Sequence, residues 1–494
     1  MMDFSEIFVG GQWRAGGGGQ ADSINPADGS LVARHGVASV ADVAEAVEAG
    51  QRAVADPEWR TMLPHVRARL LHRIGDAIEA QAEHIAALQT ADTGKTLTET
   101  RALALSAAGT FRYTAAALET LDDALTTPRG PYLTMSVHEP IGIVGAITPW
   151  NSPIASDAQK VAPALAAGNA VLLKPAEWTS LVSLKFARIV EEAGLPRGLL
   201  SVLPGPGATV GDAIVRHPGV GKISFTGGTV TGKRIAAIAG GKLMPVSLEL
   251  GGKSPTIVLP DADIDHAIAG ILFGIFSSTG QSCIAGSRLF VHRSIYPDFM
   301  ARLVAATQAL RVGRGTDGST QVGPLVAFAH RDKVAAHVEA AKAAGATLLC
   351  GGQAPQGEGY DKGAFYLPTI LADVDHGAAI CQEEVFGPVL VAIAFDDEEH
   401  LIAQANNSVY GLACGIWTRD FAKAYALARR IAAGTVWINT YKQFSISTPF
   451  GGVRESGLGR EKGREGIRAY MQQKSLYWGL NDQPLPWATP KTAL

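Results

Sequence analysis

Cys283 and Glu249 are the two residues whose type and setting point most directly to chemistry. Cys283 stands in Thr279-Gly-Gln-Ser-Cys283-Ile-Ala-Gly-Ser-Arg288, between Gly280 and Gly286. Glycine lets backbone and ligand approach closely, so a thiol in such a break is reachable where a mid-helix thiol is not. Glu249 opens a second glycine break, Leu248-Glu249-Leu-Gly-Gly-Lys253. A thiol and a carboxylate, each at the end of a regular element, suit a nucleophile with a separate base. Taken singly, a small buried cysteine and a surface glutamate are the simpler reading. The elements around them decide between the two.

Between residues 141 and 250 short apolar runs recur at Ile143–Ile147, Ala170–Leu173, Leu199–Leu203, Lys222–Phe225 and Val246–Leu250. Helix-length segments lie between them, at 155–166, 180–193, 207–216 and 229–239. Five strands with four crossovers predict an open parallel α/β sheet. Such sheets bind ligands outside the carboxyl ends of their strands. Asn151, Lys174, Gly205–Gly207, Gly227–Gly228 and Glu249 all fall at or just after strand ends. Gly205-Pro-Gly207-Ala-Thr-Val-Gly211 is one residue too long for the dinucleotide fingerprint and reads as a turn and helix cap. Phe225-Thr-Gly227-Gly228-Thr-Val-Thr-Gly232 follows a strand and opens a helix, where backbone N–H groups and the helix dipole can meet a pyrophosphate.

Upstream, residues 7–35 read as short strands and turns. An amphipathic helix carries Val43, Val47, Gly50 and Val54. A longer stripe follows at Val66, Leu70, Ile74 and Ile78, continued by Ile85 and Leu88, with Asp92-Thr-Gly-Lys95 as an interruption. Residues 122–140 are polar and turn-rich and are expected to leave the compact body. A second α/β unit starts near Ser254, with a strand-like run at Leu289–Val291, helices at 296–311 and 327–344 and strands at 389–395 and 435–438.

The totals predict a soluble, cytoplasmic globular protein. A chain of 494 residues exceeds one hydrophobic core, so two or three domains are expected. The net charge of −3 gives no support to nucleic acid or an anionic membrane as partner. Cys283, Cys350, Cys381 and Cys414 form no CxxC pair, which argues against a zinc site or a disulfide framework and for a reducing compartment. No apolar run approaches the ~18 residues of a membrane helix.

With these residues in place the chain resembles an NAD(P)-dependent aldehyde dehydrogenase over residues 8–478. The motifs that carry the resemblance are Pro149-Trp-Asn151, Lys174-Pro-Ala-Glu177, Phe225-Thr-Gly-Gly228, Glu249-Leu-Gly-Gly-Lys-Ser-Pro255, Gly280-Gln-Ser-Cys283, Glu383-Glu-Val-Phe-Gly-Pro388 and Pro449-Phe-Gly-Gly452. The resemblance implies a Rossmann-type dinucleotide-binding domain (1–121 and 141–252), an α/β catalytic domain (253–470) and an oligomerisation arm (122–140 and 471–494). It implies that Cys283 attacks an aldehyde, that Asn151 and the Cys283 N–H hold the oxyanion, and that Glu249 activates the hydrolytic water. It also implies a cofactor site at Ile147, Trp150, Lys174, Glu177, Gly207, Phe225, Gly227, Gly228, Gly232, Leu250, Gly251, Glu384 and Phe386. CoA-acylating members tend to lack the glutamate found here as Glu249.

NAD is the expected cofactor, with NADP as the alternative, because Glu177 can accept from a ribose diol and would repel a 2′-phosphate. A homodimer or homotetramer is expected from the arm. The resemblance places the substrate between Lys442, Phe444 and Phe450 on one wall and Ser152 and Gln159 on the other. A lysine at a partly polar mouth suits an aldehyde bearing a carboxylate or another polar oxygen substituent.

Overall fold

The computed structural model describes residues 3–482 and Trp487. Of the expected arm, residues 483–486 and 488–494 lie outside the described residues.

The five expected strands form the centre of an eight-stranded sheet. They are Ile143–Ile147, Ala170–Lys174, Leu200–Val202, Lys222–Thr226 and Val246–Glu249, all parallel. Their registers bring Ile147 opposite Phe225 and Lys174, and Thr226 opposite Glu249, so the carboxyl ends of four of these strands open on one side. Glu6–Val9 and Gln12–Ala15 close one edge as an antiparallel pair. At the other edge Gly457–Leu458 pairs with Leu248 and Glu249. The chain therefore returns to the first sheet late, and the expected 253–470 unit contains residues of both sheets. That return sets the loop after Pro449 beside Glu249.

A second sheet of seven strands runs in the order Thr347–Cys350, Thr369–Ala372, Val389–Phe395, Arg288–His292, Pro255–Val258, Ala413–Trp417 and Thr435–Ile438. All its pairings are parallel except the first. Four of these strands have no counterpart in the sequence reading. Pro255–Val258 and Ala413–Trp417 are buried along their whole length, so they lack the in/out alternation that marks a half-exposed strand.

The helices start and stop for local reasons. Ser39 and Asp42 form a capping box for Val40–Ala55. The long apolar stripe is two helices, Pro64–Ala80 and Ala82–Thr93, broken at Gln81, although Leu70, Ile74, Ile78 and Ile85 all face the core. Gly94 ends the second in the left-handed region at φ 79°, and Thr96 with Glu99 caps the next helix, Leu97–Leu118. Residues 122–140 depart from the turn-rich expectation. Ala124–Thr126 and Tyr132–Pro140 are strands, and the second pairs residue for residue with Met471–Gly479. Pairing with a strand more than 330 residues away supplied the order that local composition did not suggest. Among the described residues no helix is long and apolar enough to cross a membrane.

Candidate active site

Cys283 follows a tight turn, Ser277–Gly280, in which Ser278, Thr279 and Gly280 lie at φ 56°, 55° and 69°. Such backbone needs external support. The Ser278 N–H donates to Glu99 Oε1 at 2.5 Å, Thr279 Oγ1 donates to the Gly323 carbonyl at 3.0 Å, and the Val326 N–H donates to Gln281 Oε1 at 2.9 Å. Glu99 thus serves a helix cap and the turn before Cys283 together. At Gly280 a Cβ would stand 2.1 Å from the Gly387 carbonyl oxygen. Only glycine fits there.

The thiol of Cys283 is pushed up to about 12, first by burial and then by Glu384 and Glu249, with Lys442 opposing. Asn151 Nδ2 donates to the Gln281 carbonyl at 2.9 Å, which sets the amide beside the cysteine segment. Glu249 is 4 % exposed, and its Oε2 has no hydrogen-bond partner among the described residues. Burial, and next Glu461, hold its carboxyl well above the ordinary range, while Lys160, Arg460 and Lys462 oppose. Gly451 makes room for it, since a Cβ there would lie 2.7 Å from Glu249 Oε1.

One cavity of about 710 Å³ joins these groups to the strand ends of the first sheet. Cys283, Glu249 and Asn151 line it together with Ile147, Trp150, Lys174, Glu177, Gly207, Phe225, Gly227, Gly228, Leu250, Gly251, Glu384 and Phe386. Burial presses the Lys174 ammonium down to about 8, and it donates to the Pro175 carbonyl at 2.8 Å. Glu177 Oε1 accepts from the Gly207 N–H at 2.7 Å. Glu384 Oε1 accepts from the Gly252 N–H at 3.0 Å, and burial lifts its carboxyl to about 7. Phe386, at φ 56°, meets the Trp150 ring edge-on at 5.1 Å.

Gly232 does not line the cavity. It lies one turn into the helix Thr229–Gly241, where a Cβ would stand 2.3 Å from Leu250 Cδ2, so its role is helix–strand packing.

The expected substrate residues stand apart from this cavity. Phe450 belongs to the apolar cluster against which Cys283 packs, and Phe444 meets it edge-on at 5.3 Å. Ser152 is the residue before the helix Pro153–Ala166 and makes no side-chain cap. Gln159 is drawn to Glu461, donating from Nε2 at 2.5 Å. Lys442, expected at the mouth, does not line this cavity either. It is half-buried, donates to Ser277 Oγ at 2.8 Å, and is pressed down to about 7 by burial and then by Lys95.

Several groups at the site have no signal in the sequence. His330, Lys333 and His337 line the cavity from the helix Phe328–Ala343, and the Phe386 carbonyl lies 2.7 Å from His330 Nε2. Glu461 forms a buried pair with Lys160 at 2.5 Å, although the two are 301 residues apart. Only the 3.6-residue spacing of the Phe328–Ala343 helix could have marked the three cavity residues as sharing a face.

Residues 13–476 match the model of the aldehyde dehydrogenase family. Betaine aldehyde dehydrogenase of Rhizobium leguminosarum is 42% identical over 470 residues, covering 94% of this chain and 95% of that one. Among solved structures, the NAD+ complex of an aldehyde dehydrogenase from Bacillus cereus superimposes with a TM-score of 0.94 at 38% identity, covering 97% of each chain. Betaine aldehyde dehydrogenase of Staphylococcus aureus in complex with NAD+ gives 0.96 at 35% identity, covering 98% of this chain and 96% of that one. With sequence and fold in agreement over nearly its whole length, this chain belongs to the aldehyde dehydrogenase family.

Proposed function

We propose that the chain oxidises an aldehyde to the carboxylic acid with NAD, Cys283 acting as nucleophile, Asn151 as oxyanion donor and Glu249 as base. The observation that carries this reading is that Cys283 and Glu249 share one cavity with the strand ends of the first sheet. The cavity suits a dinucleotide in size. The helix Thr229–Gly241 begins at its wall, and nothing lies within 4 Å of a Cβ at Gly228, so backbone N–H groups are free to meet phosphate. When bound, the nicotinamide supplies the hydride acceptor. Glu177 stands ready for a ribose diol and against a 2′-phosphate, which favours NAD over NADP.

At rest the thiol is protonated, because burial beside two carboxylates penalises the thiolate. Ionisation gives the thiol proton to water; the thiolate sulfur then forms a bond to the carbonyl carbon while the C=O π pair moves onto oxygen, which takes the negative charge. Asn151 Nδ2–H and the Cys283 N–H donate to that oxygen. Loss of hydride from the same carbon leaves a thioester. Glu249 then takes a proton from water, the resulting hydroxide attacks the thioester, and the acid departs with the cysteine sulfur restored. Rapid mixing with aldehyde and NAD tests these roles. Cys283→Ala is expected to give neither an NADH burst nor turnover, whereas Glu249→Gln keeps the burst and loses steady-state turnover. A Cys283→Ala enzyme with wild-type turnover would remove the nucleophile from this account.

Two further properties complete the reading. Tyr477 and Trp478 are exposed on the strand Met471–Gly479, beside exposed Leu480. Apolar side chains on an edge strand favour a homodimer or homotetramer, and light scattering at working concentration measures it. Four free cysteines fit a reducing compartment such as the cytoplasm.

A further inference from the structure

Lys462 has features that none of the roles above uses. Its backbone stands at φ 62° and ψ 176°. Residues other than glycine are held in such regions against their own preference, and they cluster at ligand clamps and active sites. The side chain folds over two aromatic rings, with Nζ 3.9 Å from the Phe444 centroid and 5.5 Å from that of Phe450. The adjacent carboxylate, Glu461, is engaged with Lys160 and Gln159 instead. Among the described residues no ion pair includes Lys462 or Lys442.

A half-buried cation without a carboxylate partner carries an unrepaid desolvation cost. Aromatic faces offset part of it. The remainder is available to an incoming anion. Lys442 is also at positive φ, with Nζ on Ser277 Oγ at 2.8 Å and 5.9 Å from the Phe273 ring centroid. Phe450 belongs to the cluster on which Cys283 packs, and so does Tyr441, the chain neighbour of Lys442, which places Lys462 by its ring contact and Lys442 by its position in the chain beside the surroundings of the thiol. The charge of Cys283 bears on each of them. The ring faces that could receive a substrate cation already hold the chain's own lysine.

We propose that Lys462, assisted by Lys442, determines substrate specificity at the aldehyde entrance, selecting aldehydes that carry a carboxylate remote from the carbonyl and disfavouring quaternary-ammonium aldehydes. The proposal rests on the aldehyde-oxidation reading and deepens it.

The test uses the full chain with NAD and matched aldehydes of three to six carbons, ending in a carboxylate or a methyl group, plus trimethylammonioacetaldehyde. The readout is the ratio of kcat/KM for the carboxylate member to that for its methyl partner. In the wild type this ratio is expected to exceed about ten at the best chain length, as one charge-assisted contact provides. Lys462→Met should lower the ratio about tenfold or more, chiefly through KM, and Lys462→Arg should retain most of it. A merely structural role would depress both members alike, so an unchanged ratio in a folded Lys462→Met overturns the proposal. So does a wild type that prefers the methyl or trimethylammonio compound.

A second measurement needs no variant and no turnover. The dicarboxylate of the preferred length should protect wild-type Cys283 from iodoacetamide at lower concentration than the monocarboxylate does; equal protection counts against Lys462. If no aldehyde of any charge is oxidised, the catalytic reading fails. If all are oxidised without charge preference, only the specificity proposal does.

Discussion

The roles proposed for Cys283 and Glu249 require each to lose a proton in a setting that resists it. Burial raises both; Glu384 and Glu249 raise Cys283 further, and Glu461 raises Glu249 further. A carboxyl held above its ordinary range is largely protonated at low pH, so the base form, and with it deacylation, grows as pH rises past that range. Single-turnover decay of the thioester should therefore quicken with pH. Glu461→Gln removes the second-largest cause of the upward shift in Glu249 while Lys160 remains, so the midpoint of that profile is expected to move to lower pH. A midpoint that stays put would show that burial alone sets it. Glu249→Gln should slow deacylation by about 10²–10⁴.

The elements around these residues matter through their ends. The turn before Cys283 depends on Gly280, where both the positive φ and the Gly387 carbonyl exclude a side chain. Gly280→Ala is expected to cost on the order of 1–3 kcal/mol from the backbone alone, read as a lower melting temperature. It should also change the rate at which iodoacetamide labels Cys283, because the turn aims the thiol. Glu177 starts a short 3₁₀ turn, Glu177–Thr179, just past the strand that ends at Lys174. Glu177→Ser takes the carboxylate away from the position a 2′-phosphate would occupy. The preference for NAD over NADP in kcat/KM should fall by about tenfold or more, the scale of a like-charge penalty; an unchanged preference would clear Glu177 of that role.

Across the whole molecule, Glu461 ties the late loop to Lys160 on the helix Pro153–Ala166, which packs on the first sheet, and both are nearly inaccessible to solvent. Ser224 sits between them and Tyr470, accepting from Lys160 at 3.1 Å and from the tyrosine hydroxyl at 3.0 Å. Removing one member of a buried pair strands the other, at about 3–5 kcal/mol. Lys160→Met should lose that much stability to chemical denaturant, and Lys160→Met with Glu461→Leu should recover most of it. If the double variant is as unstable as the single one, the pair is not what anchors the loop.

Most of the first sheet and the order of its ligand-facing ends are legible in the sequence, because a strand followed by a crossover helix leaves a local period. Asn151, Lys174, Gly227 and Glu249 could be placed at strand ends on that basis, and Cys283 between glycines needed no tertiary contact to stand out. The second sheet is less legible, since strands such as Ala413–Trp417 are buried on both faces and show no alternation. Only the tertiary structure decided which groups surround the thiol. Lys160 and Glu461 meet across 301 residues, Lys442 turns inward to Ser277, and Gly232 faces Leu250 in place of the cavity. Lys462 is the sharpest case: its backbone conformation runs against lysine's own preference, and long-range packing holds it there, so no local pattern could announce it.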